Sequence, residues 1–279
     1  MPLAAQSLLL DAARAGEQIV AVGERGHVLV SRGGDGWRQV RAPVRALLTA
    51  VSFRSESVGV AAGHDAVVLH TADGGGTWFV AHADPDLDAP LLDVILFEEQ
   101  RGLAVGAYGL MLLSEDGGRS WRAHPGLRFD AHLNAIAANP DAILVAGESG
   151  TVLHSADRGA TWAERPFPYD GSLHGALGLG PARWLVFGLR GHVYRSEDDG
   201  RTWTRVEVDS EAGLMGGTVL GDGTVVVIGL GGTVLVSRDG ARSFAQETLP
   251  ARPGLSAAVE TRAGGVLLLG EGGAREVAP

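Results

Sequence analysis

The chain has 279 residues, a hydrophobic fraction of 45% and a formal net charge of −10. Acidic and basic residues are interspersed without a basic run, so the electrostatic footprint of a nucleic-acid binder is missing. The absence of cysteine excludes disulfides and thiolate metal sites, and no stretch approaches the ~20 apolar residues that a membrane-spanning helix needs.

The N-terminal stretch MPLAAQSLLLDAARAG has no basic leader region, and Asp11 interrupts its apolar run. As it stands it does not read as a signal peptide. From Ser7 onward the chain repeats. An octet rich in glycine and aspartate ends on an aromatic residue: SRGGDGW at Trp37 (one residue short), TADGGGTW at Trp78, SEDGGRSW at Trp121, SADRGATW at Trp162, SEDDGRTW at Trp203 and SRDGARSF at Phe244. Successive ends lie 41 residues apart, except for one interval of 43. A second marker runs in phase and appears seven times, at Gly23, Gly63, Gly106, Gly147, Gly188, Gly229 and Gly270. A repeat of this period built from short strands predicts an all-β, seven-bladed β-propeller of four-stranded antiparallel blades.

One unit shows the strands in order. Leu91–Phe97 is apolar enough for a buried inner strand, Leu103–Gly106 follows, Leu110–Ser114 is third and the fourth begins near Trp121. The 42 glycines are spread along the chain, which suits many tight turns. No segment carries a 3.6-residue period with caps, so almost no helix is expected. The last unit stops after its third strand. Met1–Gln6 is expected to supply the missing outer strand, which would close the ring and make residues 1–279 one domain.

The octets read as structural staples between strands three and four. Asp73, Asp116, Asp157, Asp198 and Asp239 accept hydrogen bonds within their turns, and Trp78, Trp121, Trp162 and Trp203 bury indoles between blades. In a propeller the glycine-framed turns lie on the face opposite the octets. They and the longer loops between blades display Arg25, Arg45, Tyr108, Arg128, Phe129, Tyr169 and Arg190. Arginine with aromatic residues is the usual composition of an interaction hot spot, so these seven are the candidate partner-binding residues. Thr49, Asp93, Asn134 and Ser256 are expected to line the central channel.

The octets resemble the BNR/Asp-box repeat, Ser/Thr-x-Asp-x-Gly-x-Ser/Thr-Trp. The whole unit, with RGLAVGAYGLMLLSEDGGRSW as its best copy, resembles the photosystem II assembly and stability factor family, and bacterial relatives from non-photosynthetic organisms share the pattern. The resemblance implies a non-catalytic propeller that assists assembly of a membrane-protein or transport complex. It implies a membrane-associated protein partner, no cofactor, no direct membrane insertion, and the exported or periplasmic side.

The Asp-box is also shared with sialidases and xyloglucanases, so the alternative is a glycan-binding protein or glycoside hydrolase. A sialidase needs an arginine triad and a Tyr/Glu pair. Tyr194 falls in a third-strand slot shared with Leu69, Leu112 and Leu153, while Tyr108 and Tyr169 lie in turns without a nearby glutamate in sequence. The expectation is therefore no catalytic residue. For metals, Asp84, Asp86 and Asp88 alternate as in a calcium loop. Ala89 stands at the glycine position and Ile95 at the final carboxylate position, so an acidic, solvated loop is expected. His70 and His154 share one third-strand slot, which reads as packing.

Overall fold

A computed structural model describes residues 3–97, 100–125 and 130–277. Arg128 and Phe129, two of the seven candidate partner-binding residues, lie outside the described residues. The chain is an all-β, seven-bladed β-propeller. Among the described residues, six sheets have four strands in simple antiparallel order and the seventh has three. Among the described residues the only helical segments are 3-10 turns of three or four residues.

The chain divides into two compact units, residues 1–130 with 261–278, and residues 131–260 with 279. In the first unit, blade one comprises strands Leu9–Ala15, Gln18–Gly23, Val28–Arg32 and Asp35–Val40. Blade two comprises Leu48–Phe53, Gly59–Gly63, Val68–Thr71 and Phe79–His82, and blade three Leu91–Leu96, Gly102–Gly106, Met111–Ser114 and Arg122–Ala123. In the second unit, blades four, five and six begin at Leu133, Leu173 and Leu214.

The second strand of each blade explains the apolar runs in the sequence. Gly59–Gly63, Gly102–Gly106, Ile143–Gly147, Trp184–Gly188 and Val225–Gly229 are buried at every residue. A strand covered on both faces needs no polar alternation. Successive residues then serve two cores. In the first unit Ala61 packs with Val20, Val51 and Trp78, whereas Val60 and Ala62 pack with Leu91, Val94 and Trp121. In the second unit Val186 packs with Leu144, Leu173 and Tyr194, and Leu185 and Phe187 with Leu214, Val227 and Leu235.

Inner strands carry a bulge after their first residue, with register shifts at Leu9/Asp11, Leu48/Ala50, Leu133/Ala135, Leu173/Gly175 and Leu214/Gly216. Thr49 and Asn134 are the bulged residues. Their side chains tie adjacent inner strands together: Thr49 Oγ1 donates to Leu91 O at 2.8 Å, and Asn134 Nδ2 donates to Leu173 O at 2.8 Å. Asp93 does not belong with them. It pairs with Val105 as Asp11 pairs with Val22, so it sits one position further along, and Leu92 is the counterpart of Thr49.

The N-terminal segment also differs from expectation. Leu3–Gln6 forms a 3-10 turn rather than an outer strand. Ser7 closes that turn on Ala4 O, through its N–H at 3.3 Å and its hydroxyl at 2.7 Å, which removes the segment from strand geometry. Ala4 and Ala5 are nevertheless buried. The ideal Cβ position on Gly273 is 2.0 Å from Ala5 O, so the turn sits directly on the strand Gly273–Val277.

Candidate partner-binding site

Six of the seven marker glycines open a turn of one design, while Gly270 pairs with Gly273 in a shorter hairpin. Gly106 N–H donates to Leu110 O at 2.9 Å, Ala107 N–H to Pro90 O at 2.9 Å, and Leu110 N–H to Ala107 O at 3.0 Å. The middle contact anchors the turn to the residue just before the inner strand. It recurs as Glu24 N–H to Leu8 O and His64 N–H to Leu47 O in the first unit, and as Glu148 N–H to His132 O, Leu189 N–H to Ser172 O and Leu230 N–H to Gly213 O in the second. The marker is glycine because of space. Its ideal Cβ would lie 2.2 Å from Leu8 O at Gly23, 2.0 Å from Leu47 O at Gly63 and 2.1 Å from Ser172 O at Gly188.

The tip residue of each turn, two positions on, has positive φ. In the first unit these are Arg25, Asp65 and Tyr108 at 56°, 59° and 55°; in the second they are Ser149 and Arg190 at 52° and 56°, with Gly231 at 65°. All six are exposed, and Tyr108 is 68% open to solvent. A non-glycine residue in this region costs ~1 kcal/mol or more. The frame therefore holds varied side chains in one strained, outward presentation.

In blades one, four and five the tip rests on the loop that follows its blade. Gly26 lies against Val44 O and Arg45 Cα, which brings the segments of Arg25 and Arg45 together in the first unit. In the second unit Gly150 N–H donates to Gly171 O at 3.0 Å, setting Tyr169 beside the blade-four tip, and Gly191 N–H donates to Ala212 O at 2.8 Å.

Tyr169 and Arg190 converge on a group that the sequence reading missed. The rings of Tyr169 and His192 are 4.1 Å apart, Tyr169 and Tyr194 6.0 Å, and Phe167 and Tyr194 5.0 Å. Tyr194 is buried, as its strand slot predicted. Beside this cluster a pocket of ≈ 650 Å³ is lined by Arg190, His192, Arg205, Val208, Asp209, Ser210 and Glu211. Burial lowers the His192 pKa, and Arg205 and Arg190 lower it further, so the ring favours its neutral form among cationic neighbours. A signal was present: His192 directly follows the frame in GLRGH, as His27 does in GERGH.

The octet aspartates are held by hydrogen bonds within their own turns. In blade four, Asp157 Oδ1 accepts Ser155 Oγ–H at 2.8 Å and Thr161 N–H at 2.8 Å, while Oδ2 accepts the Thr161 hydroxyl at 2.6 Å. The same bonds hold Asp73, Asp116, Asp198 and Asp239. The hydroxyl and N–H of Thr161 hold Asp157 at a pKa of about 2, and Thr202, with its hydroxyl first, does so for Asp198. At Asp116 burial pushes upward, but bonds from Ser120 and Ser114 bring the carboxyl to about 2. Trp78, Trp121 and Trp203 donate Nε1–H to Gly75, Gly118 and Gly200 carbonyls at 3.0–3.1 Å. Trp162 Nε1 is buried with no partner among the described residues.

The shared histidine slot holds two environments. His70 is buried, and its ring tilts against Phe79 with centroids 5.1 Å apart. His154 Nδ1 lies 3.0 Å from Arg165 Nη2, which donates to it, so the ring proton is on Nε2, 2.8 Å from Asp199 Oδ2. In the first unit, Asp11 accepts Ala12 N–H and Val51 N–H, both at 2.8 Å. Burial pushes its carboxyl up to about 7; Asp93 adds to the rise and the two N–H groups oppose it. The residue keeps part of its surface open to water. In the His82–Pro90 loop, Pro85–Leu87 forms a 3-10 turn, and Asp86 and Asp88 are exposed.

The sequence matches the family described as photosynthesis system II assembly factor YCF48 over residues 29–123 and 81–221. It is 35% identical over 86 residues to the photosystem II assembly lipoprotein Ycf48 of Synechococcus sp. (strain CC9902), a stretch covering 30% of this chain and 26% of that protein. The match thus spans about a quarter of the length of that curated relative. Among solved structures the chain is similar to one titled YCF48 bound to D1 peptide, with TM-score 0.79 and 18% identity over 99% of this chain and 93% of the other. It is likewise similar to YCF48 from Cyanidioschyzon merolae, with TM-score 0.78 and 19% identity over 98% and 96% of the two chains. The WD40 propeller domain of Doa1 matches with TM-score 0.73 and 12% identity over 97% and 92%. At such identities these structural likenesses speak for the fold.

Proposed function

The chain belongs to the photosynthesis system II assembly factor YCF48 family, and on that footing we propose that it is a non-catalytic interaction module that docks on a subunit of a membrane-protein complex during assembly. The observation that carries this reading is the tip frame. One backbone design, held by one set of bonds, presents Arg25 and Tyr108 in the first unit and Ser149 and Arg190 in the second as exposed side chains. A fixed scaffold with varied tips is how a binding surface is diversified without disturbing a fold.

The second unit offers the stronger anchor. Arg190 and Arg205 border a pocket whose neighbouring wall holds Tyr169 packed on His192, and aromatic residues with arginine dominate binding energy at protein interfaces. A family member has been solved with a bound peptide, which supports a peptide segment as the partner's contribution. The five octet aspartates support a non-catalytic role in a direct way: both oxygens of each carboxylate accept bonds from their own turn.

The test is co-purification from gently solubilised native membranes with the chain as bait. A paired bait carries Tyr108→Ala, Tyr169→Ala and Arg190→Ala. Retention of a membrane-protein subunit by the first bait and its loss from the second is the expected outcome. Equal retention by both baits would place binding elsewhere, and capture of none by either would count against the docking role.

A further inference from the structure

Blade one departs from the octet in a way that creates a second candidate site. In the five full turns, the positive-φ pair directly follows the aspartate: Gly74–Gly75, Gly117–Gly118, Arg158–Gly159, Asp199–Gly200 and Gly240–Ala241. In blade one the pair is Gly33–Gly34, and the residue directly before it is Arg32. Gly34 N–H donates to Ser31 Oγ at 3.2 Å, matching the bond from Gly118 N–H to Ser114 Oγ at 2.9 Å. The missing residue therefore falls between the serine and the glycine pair. A guanidinium stands at the place that elsewhere carries a carboxylate, and Gly36 stands where Thr77 or Ser120 supplies a hydroxyl.

Around this turn lies a pocket of ≈ 420 Å³ lined by Gln18, Val30, Ser31, Arg32, Gly36 and Arg38. Strand register puts four of these on one face of the sheet. Arg32 pairs with Gln18 on one side and with Asp35 on the other, and Arg38 pairs with Val30. Val30 and Arg32 are alternate residues of one strand, so all four side chains share a side. A Cβ on Gly33 or Gly36 would meet nothing within 4 Å, so the space above the turn is open. Among the described residues, neither Arg32 nor Arg38 has an ion-pair partner. The two arginines occupy diagonal positions on one sheet face, where long side chains can reach a common ligand.

We propose that this pocket binds a phosphoryl group, with Arg32 and Arg38 as its two forks and the Gln18 amide as a further donor. A carboxylate would neutralise one of the two arginines. A phosphate dianion neutralises both and carries enough acceptor oxygens for two bidentate guanidinium contacts. The pocket lies at the octet end of blade one, whereas Arg25 occupies the opposite end of the same strands. Occupancy therefore leaves the blade-one tip open, and the proposal is independent of the docking role. The phosphoryl group comes either from a small solute or from a phospholipid headgroup.

Two titrations separate these sources. Inorganic phosphate is titrated calorimetrically into the wild-type chain, the double variant Arg32→Gln/Arg38→Gln, and Arg41→Gln, which removes one exposed charge just past the far end of the strand Asp35–Val40. Co-sedimentation with phosphatidylcholine vesicles, with and without phosphatidic acid, forms the second arm. Binding at least tenfold weaker in the double variant and unchanged in Arg41→Gln is the expected result. Saturation by inorganic phosphate without vesicle binding identifies a solute site, and vesicle binding that depends on phosphatidic acid and on both arginines identifies a headgroup site. Absence of binding in both arms, or equal binding by the wild type and the double variant, overturns the proposal. Circular dichroism checks the fold of the variants. Should the double variant misfold, Arg38→Lys keeps the charge without the fork and should still weaken binding; unchanged binding there also counts against the site.

Discussion

Replacing Gly106 with alanine separates two reasons for a turn glycine that recurs from blade to blade, backbone freedom and space. Gly106 has φ −167°, an extended value open to any residue, so no conformational penalty enters. Its Cβ, however, would lie 2.2 Å from Pro90 O and 2.9 Å from Leu91 Cα, which are backbone atoms that cannot rotate away. Pro90 O also accepts the Ala107 N–H at 2.9 Å, so any shift that relieves the clash strains the bond that seats the tip. Overpacking of this kind costs ~1–3 kcal/mol, and loss of one hydrogen bond ~1 kcal/mol. Gly106→Ala should therefore destabilise by ~2–4 kcal/mol. Gly213→Ala is the control, because its nearest neighbour is the flexible end of Leu230 at 3.5 Å. The entropic gain of losing a glycine, ~0.4–1 kcal/mol, applies to both variants and cancels in the comparison. Equilibrium urea unfolding measures the difference. Equal midpoints for the two variants would refute the spatial reading of the frame.

Trp121→Phe removes an indole whose Nε1–H bonds Gly118 O at 3.1 Å, whereas Trp162 Nε1 is buried without a partner among the described residues. Trp121→Phe should thus cost ~1 kcal/mol more than Trp162→Phe in the same unfolding assay. Acid should act through the octets: Asp157 and Asp198 titrate at about 2 when folded against an ordinary 3.8. Their stabilisation is present above pH 3.8 and is lost as pH falls through about 2, and Asp157→Asn should flatten that part of the thermal midpoint profile. Asp11 acts with the opposite sign. Its folded pKa of about 7 exceeds 3.8, so its contribution is full below pH 3.8 and is lost as pH rises towards 7. Asp11→Asn should remove that slope. Deleting residues 1–6 should lower the thermal midpoint, because it uncovers Gly273 and removes buried Ala4 and Ala5.

The parts of the fold legible in sequence were those that repeat. Every octet and marker glycine records the same local constraint, so the blade count followed from period alone, and apolar second strands announced burial on both faces. Features set by single contacts were not legible. The Ser7–Ala4 bonds that turn Leu3–Gln6 away from strand geometry depend on one hydroxyl, and an inner-strand bulge made Asp93 look like the counterpart of Thr49. At the candidate site, the tips Arg25, Tyr108 and Arg190 could be read because the frame places them. Arg205 could not, since it reaches the pocket from the outer strand Thr204–Val206 of blade five, and the meeting of His192 with Tyr169 depends on a loop resting on a neighbouring turn. The blade-one turn was visible as one residue short, but its consequence required the φ pattern that shows Arg32 directly before the glycine pair.

The central claim, that the tips bind a peptide segment of a membrane-protein subunit, is tested most directly by fluorescence anisotropy. Labelled peptides would cover the water-exposed segments of a subunit recovered by the wild-type bait. Three chains would be titrated: the wild type, Tyr169→Ala/Arg190→Ala, and Arg25→Ala/Tyr108→Ala. The account predicts saturable binding of at least one peptide and a loss of tenfold or more, about 1.4 kcal/mol, in the Tyr169/Arg190 variant. An isotherm unchanged in both variants would contradict it.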